Sequence, residues 1–273
     1  MSYSIFDGTM AAMTWPDLEK ALKENAAVLL PTSVIEEHGP HMCLGVDAYL
    51  GFQLCRLVKA HLEMKGIATL IVPPCYWGIN SVTGAFPGSY SLRDETMKAL
   101  IYDIISCLAQ WGAAHVFNVN WHDDARHCSV LLDAIRQVHN NTGIKASAVI
   151  SEILAMRLGL TGQEEHILVY RLPVKEGEKP QSQDIHAGFI ETSAMAAFFS
   201  NEVNFEKAKR LTAVQLNSEE FALWRKGGEY VRRLTPQGYL GSPAGFSPEV
   251  GRKIMHELSA AAAEKIEEAL LIT

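Results

Sequence analysis

Between Pro31 and Asp47 the chain reads P-T-S-V-I-E-E-H-G-P-H-M-C-L-G-V-D. Glu36, Glu37, His38, His41 and Asp47 crowd into this one stretch. Carboxylates and imidazoles are the oxygen and nitrogen ligands that Zn²⁺, Mn²⁺ and Fe²⁺ accept. Glu36 and His38 are two apart, so on an extended segment they point the same way. Gly39 and Pro40 then turn the chain, which lets Asp47 fold back. Two further clusters follow: His122-Asp123-Asp124, and His186 with Glu191. Together they offer enough ligands for two ions with one shared carboxylate. Two close metals deprotonate a bridging water near neutral pH and polarise a carbonyl, which is the chemistry of a hydrolase. Taken singly, each cluster has a plainer reading: Glu36-Glu37 as a solvated pair, His38 or His122 as a loop histidine, His186 as a helix cap. The weight comes from all three falling where a strand or loop gives way to a helix.

The elements that must position these groups alternate. Strands are expected over Ala26 to Leu30, Ala68 to Val72, His115 to Asn120 and Ala146 to Ile150. Helices are expected from Thr14 to Leu22 and from Ala48 to Lys65. Two more are expected around Met97 to Leu108 and from Ala125 to His139. Met97, Leu100, Ile101, Ile104, Ile105 and Leu108 repeat at three and four, the helical period. Strands alternating with helices imply a parallel sheet covered on both faces. The expected class is therefore α/β, and ligands in such sheets bind outside the carboxyl ends of the strands. Cys75 to Ser91 is a long loop of the functional kind. Thr161 to Asp184 is irregular, with an exposed loop over Val174 to Gln183. Ala194 to Phe199 is helical, and Phe205 to Tyr239 is a mixed excursion. Ser247-Pro248-Glu249 opens a final helix to about Leu271, with a Ser cap and Pro in the first turn.

Composition bounds the function. The 273 residues are 48% hydrophobic and 20% charged, as in an ordinary globular protein, and are expected to form one domain over 1–273. With 24 basic and 31 acidic residues the net charge is −7 and no basic run stands out. Nucleic acid and anionic membranes are thus poor partners, and a small-molecule substrate is expected. No apolar run reaches the ~20 residues of a membrane span. The five cysteines are scattered, without a C-x-x-C pair, which fits a reducing, cytoplasmic setting. No signal peptide is read in Met1 to Trp15.

E-E-H-G-P-H-M-C-L-G-V-D resembles the creatininase (creatinine amidohydrolase) family motif E-Q-H-G-P-H-L-P-L-x-T-D. Asn120-Trp121-His122-Asp123-Asp124-Ala125 resembles the second motif, N-G-H-x-x-N. His186-Ala187-Gly188-Phe189-Ile190-Glu191-Thr192-Ser193 matches the third, H-A-G-x-x-E-T-S. Phe86-Pro87-Gly88-Ser89 is similar to F-P-G-T, and Gly241-Ser242-Pro243 to a C-terminal G-D-P. The resemblance implies a three-layer α/β/α domain with a mostly parallel central sheet. It implies two divalent metal ions (Zn, Mn or Fe) and a homohexamer. By this resemblance Glu36, Asp47 and His122 hold one ion, and His38, Asp47 and Asp124 the other. His186, with Asp124 and Glu191, carries the catalytic role, His186 contacting substrate and moving a proton.

The implied reaction is attack of a metal-bound hydroxide on a carbonyl of a small cyclic substrate, with amide C–N hydrolysis. Hydrolytic C–C opening of a cyclic 1,3-dicarbonyl such as a dehydro-inosose is the alternative, and a non-catalytic binding protein a third. Several positions depart from the family. Glu37 replaces the usual Gln, Trp121 replaces Gly and Ala125 replaces Asn. Asn80-Ser81-Val82-Thr83 stands where S-x-E-H is common. Gln181-Ser182-Gln183-Asp184 stands where creatininase has a Trp-Asp pair.

Overall fold

The structure, a computed structural model, describes residues 4–171 and 183–271. Five strands form one parallel sheet in the order β2-β1-β3-β4-β5. They are β1 (Ala27–Thr32), β2 (Thr69–Ile71), β3 (His115–Asn120), β4 (Lys145–Ser151) and β5 (Ile167–Tyr170). The helices are α1 (Trp15–Lys23), α2 (Val46–Met64), α3 (Asp94–Gln110), α4 (Ala125–Thr142), α5 (Glu152–Arg157) and α6 (Phe189–Phe198). After them come α7 (Phe205–Ala208), α8 (Ser218–Trp224), α9 (Glu229–Leu234) and α10 (Pro248–Leu271). No helix among the described residues is long and apolar enough to cross a membrane.

The strand pleat makes the layers. Successive strand residues point to opposite faces. Val28 and Leu30 accordingly pack with Val116, Ala146, Ala148 and the apolar faces of α3 and α4. Ala27 and Leu29 pack the other way, with Phe117, Val149, α2, α6 and α10. Two cores back to back on one sheet give the α/β/α arrangement. A smaller cluster of Phe86, Trp224, Val231 and Leu240 closes the excursion after α6.

β1 runs two residues further than the apolar pattern indicated, through Pro31. Leu29 O accepts from Val72 N, and Pro31 O from Cys75 N, so both residues face the β2 side. β2 ends at Ile71, opposite Leu29, so no ladder partner calls for the donor that proline lacks. β5 lies inside the region expected to be irregular. Its four residues are too few to show a period between polar flanks. The helix expected at Ala194 begins earlier, at Phe189. The exposed loop expected over Val174 to Gln183 lies, apart from Gln183, outside the described residues.

The strand order fixes where a ligand goes. The chain steps from β1 outward to β2 and returns on the other side of β1 as β3. Connections leaving the carboxyl ends of β1 and β3 therefore diverge, and a crevice opens between them. The 33–45 loop leaves β1 there, and His122 leaves β3 there.

Candidate metal centre

Every residue of the centre arrives on an element end that is tied down. Along the 33–45 loop, Glu36 N donates to Leu44 O at 3.1 Å and Tyr90 N to Ile35 O at 3.1 Å. Asn204 N donates to His41 O at 2.7 Å, and Glu37 N to Ser89 Oγ at 3.0 Å. Gly39 turns the loop at φ 66° and donates its N–H to Glu37 Oε2 at 3.0 Å. Asp47, expected in the loop, sits in the first turn of α2, where an acid suits the helix dipole. His122 stands two residues beyond β3. His186 is clamped by backbone bonds to Leu240 in both directions, at 3.2 and 2.8 Å. Glu191 lies in the first turn of α6 and accepts from Ala187 N at 2.7 Å.

These residues converge. His122 Nδ1 is 3.0 Å from Glu36 Oε1 and 3.1 Å from Asp47 Oδ2. His38 Nε2 is 3.1 Å from Asp47 Oδ1 and 3.8 Å from Glu191 Oε2. The ligand atoms of Glu36, Asp47 and His122 lie within 4.8 Å of one another, as do those of His38, Asp47 and Glu191. Glu36, His38 and His186 make a third such group. Glu36, His38, Asp47 and His122 are all buried.

The second nitrogen of each imidazole is held by a backbone carbonyl. His122 Nε2 donates to Ile79 O at 3.1 Å, and His38 Nδ1 to Glu36 O at 3.1 Å. Each ring thus turns its other nitrogen toward Asp47. His38 Nε2 and Asp47 Oδ2 are both buried and face the other side chains of the cluster. Burial opposes charge on His38, but Asp47 beside it wins and pushes its pKa up to about 9. Burial also opposes charge on His122, and Glu36 with Asp47 hold it well above the ordinary range. Burial would raise Glu36 and Asp47, yet the imidazoles around them hold both low. The centre attracts positive charge strongly, and its carboxylate and imidazole donors suit a divalent ion.

Asp124, expected as a ligand of the second ion and as a catalytic group, stands outside these groups. Its Oδ1 caps α4, accepting from Arg126 N at 2.9 Å and His127 N at 3.1 Å. Its Oδ2 accepts from Ser81 N at 2.8 Å. Glu191 takes the position beside His38 instead. Asp123 points away and pairs with Arg157 at 3.5 Å. His186 does not cap α6, because Asp184 does so, accepting from Phe189 N at 2.6 Å and Ile190 N at 2.8 Å. Its Nε2 donates to Glu37 O at 2.8 Å, and its Nδ1 is 3.9 Å from Glu36 Oε1.

Four further residues support the centre. Thr83, buried in the long loop, donates to Glu36 Oε2. His127 accepts from Ile79 N at 3.2 Å and donates to Asn120 Oδ1 at 3.1 Å, which fixes the carbonyl that holds His122. Gly238, at φ 75°, packs so closely on Glu37 that a Cβ there would lie 1.8 Å from Oε2. Trp121 donates its N–H to Thr32 O at 3.2 Å, tying the end of β3 to β1.

The family model described as creatinine amidohydrolase matches residues 11–266. Creatinine amidohydrolase of Pseudomonas putida is 34% identical over 128 residues, which cover 45% of this chain and 46% of that protein. The match thus spans about half the length of that relative. The mycofactocin precursor peptide peptidase of Mycobacterium ulcerans (strain Agy99) is 26% identical over 254 residues, 90% of this chain and 82% of that one. A crystal structure of creatininase superposes with a TM-score of 0.74 at 21% identity, covering 96% of this chain and 97% of the other. Creatininase structures of similar likeness include a manganese form and a Zn-Zn form. With its motifs in order along a family match of nearly full length, the chain belongs to the creatininase family.

Proposed function

We propose that this creatininase-family hydrolase works with two divalent ions, of zinc, manganese or iron. Glu36, Asp47 and His122 would hold one, and His38, Asp47 and Glu191 the other, with Asp47 shared. One observation carries the reading. Both imidazoles spend their N–H on a backbone carbonyl and aim the remaining nitrogen at the same buried carboxylate. That is how outer hydrogen bonds orient metal-binding histidines. Bound there, two ions supply Lewis acidity and a water activated near neutral pH.

The chain's own residues do the rest. Thr83 holds one oxygen of Glu36 and so fixes the carboxylate's rotation. His186, anchored on Glu37 O through Nε2, keeps Nδ1 beside Glu36, where it would pass a proton from the attacking water to the leaving nitrogen. The bond broken is an amide C–N bond in a small, cyclic substrate. An amidohydrolase and a peptidase among the relatives support C–N over C–C cleavage. A homohexamer, supported by the family resemblance, and a cytoplasmic setting, supported by the scattered, unpaired cysteines, complete the proposal, and light scattering tests the assembly.

Metal analysis joined to substrate screening tests the function. The purified protein should carry about two ions per chain and release amine from amides in a way that chelator abolishes. Asp47→Ala should lose both ions. Full metal content in that variant, or ring opening of a cyclic 1,3-dicarbonyl without turnover of any amide, would overturn the proposal.

A further inference from the structure

A cleft of about 630 Å³ is lined by Glu37, the residue on which His186 is anchored. Lys207 and Arg232 line the same cleft. Both cations are fixed relative to the metal-bearing loop. The Arg232 guanidinium lies over the Phe86 ring, 4.6 Å from its centroid, and Phe86 also lines the cleft. Next to Arg232, Val231 is buried against Trp224, Leu240 and Phe86, which anchors α9. Asn204 caps α7 by accepting from Lys207 N at 2.9 Å, and its own N–H is bound to His41 O. Among the described residues neither cation forms an ion pair with a carboxylate.

We infer that this cleft binds a carboxylate on the substrate, so that the enzyme acts on small amides that carry an anionic group. The inference rests on the hydrolase reading above. A cavity of this size suits a small organic ligand. Charge-assisted bonds to a carboxylate are roughly twice as strong as neutral ones, and arginine presents a planar fork that matches it. Lys207 and Arg232 attract a carboxylate, whereas Glu37, whose Oε1 lies 3.3 Å from His186 Nε2, repels one, so the anionic end of the ligand favours the two cations and leaves its amide for the side of His186.

Matched probes test this: succinamate against succinamide, and glutaramate against glutaramide. Each pair differs only in a carboxylate or a carboxamide. Binding is measured by calorimetry on metal-loaded and on chelator-treated protein, the second arm excluding direct ligation of an ion by the probe. The anionic member of at least one pair should bind about tenfold more tightly in both states. Lys207→Gln with Arg232→Gln should erase that preference and leave metal content and melting temperature unchanged. The inference is overturned if no pair shows a preference, including when neither member binds, or if the preference survives in the double variant. Metal content separates the two readings. A protein that binds no ion but keeps the preference defeats the metal-dependent mechanism alone, whereas full metal content with no preference defeats the cleft assignment alone.

Discussion

Asp124→Ala separates two jobs that one aspartate could do. As the structure has it, Asp124 is a clamp between α4 and the long loop. Its oxygens accept from Arg126 N, His127 N, Ser81 N and Ser81 Oγ at 2.8 to 3.1 Å. Removing an Asp N-cap costs about 0.5–2 kcal/mol. The tie to Ser81 is exposed, so it adds only about 0.5 kcal/mol. The variant should therefore lose about 2 kcal/mol, which for a chain of this size is about 3–4 °C in melting temperature. The ions should stay. The loop that Asp124 clamps carries Ile79 O and Thr83, which orient His122 and Glu36. Loosening it should weaken metal affinity by up to ~10-fold, the lower end for outer hydrogen-bond partners, with no change in stoichiometry at saturation. Asp124→Asn keeps one accepting oxygen and should recover part of the stability. Calorimetric melting and metal counting on one preparation make the assay. If both variants lose one equivalent of metal at saturation while melting within a degree of wild type, Asp124 is a ligand and the clamp reading is wrong.

Three further outcomes follow from the geometry. His186→Ala should lower turnover by ~10²–10⁴-fold with metal content and melting intact, since Asp184 caps α6; normal turnover in a protein that melts early would show a structural histidine instead. Gly251→Ala, in α10, would put a Cβ 2.2 Å from the backbone of Ser193 in α6, so denaturant titration should show a loss of roughly 2–3 kcal/mol; wild-type stability would mean that the two helices are not packed this closely. Burial, then His38 and His186, depress His41 from 6.5 to about 4, so the unfolded chain takes this proton first as pH falls. Stability should drop from about pH 6.5 down to about 4, and less steeply in His41→Gln; equal slopes for the two proteins would refute the assignment.

Much of this centre is written in adjacent residues. Glu36 and His38 share a direction because they sit two apart on extended backbone, and Asp47 returns because a glycine turn and a helix start lie between them. Those relations are local, so spacing carries them. The end of β3 was legible for the same reason, at Asn120, whereas β1 runs on through Pro31 and Thr32, past the end of its apolar run. Thr83 is different. It reaches Glu36 across 47 positions of sequence, through a loop whose path is set by Asn80 Nδ2 bonding Tyr90 O and Ile35 O. No periodicity records such a path. β5 escaped because four residues give two positions per face, too few to distinguish a strand from any short apolar run.

Asp124 and Glu191 show where residue type itself stops being informative. An aspartate just before a helix can bind a metal or can cap, since both uses want the same carboxylate on the same kind of backbone. What decides is distance to the partner, and that depends on the neighbouring loop. Here Ser81 offers Asp124 two donors and holds it away from His38. The site beside His38 then falls to Glu191, which α6 brings in from 153 positions further along. α6 is placed by α10, through the close approach at Gly251, and by Asp184, whose carboxylate lies too near Gly188 and Gly241 for either to carry a Cβ. The second half of the centre thus depends on packing at the far end of the chain. A substitution in α10 can move Glu191 without touching any ligand, and can reach Asp47 through α2, on which α10 also packs, while Glu36 and His122 follow the ends of β1 and β3.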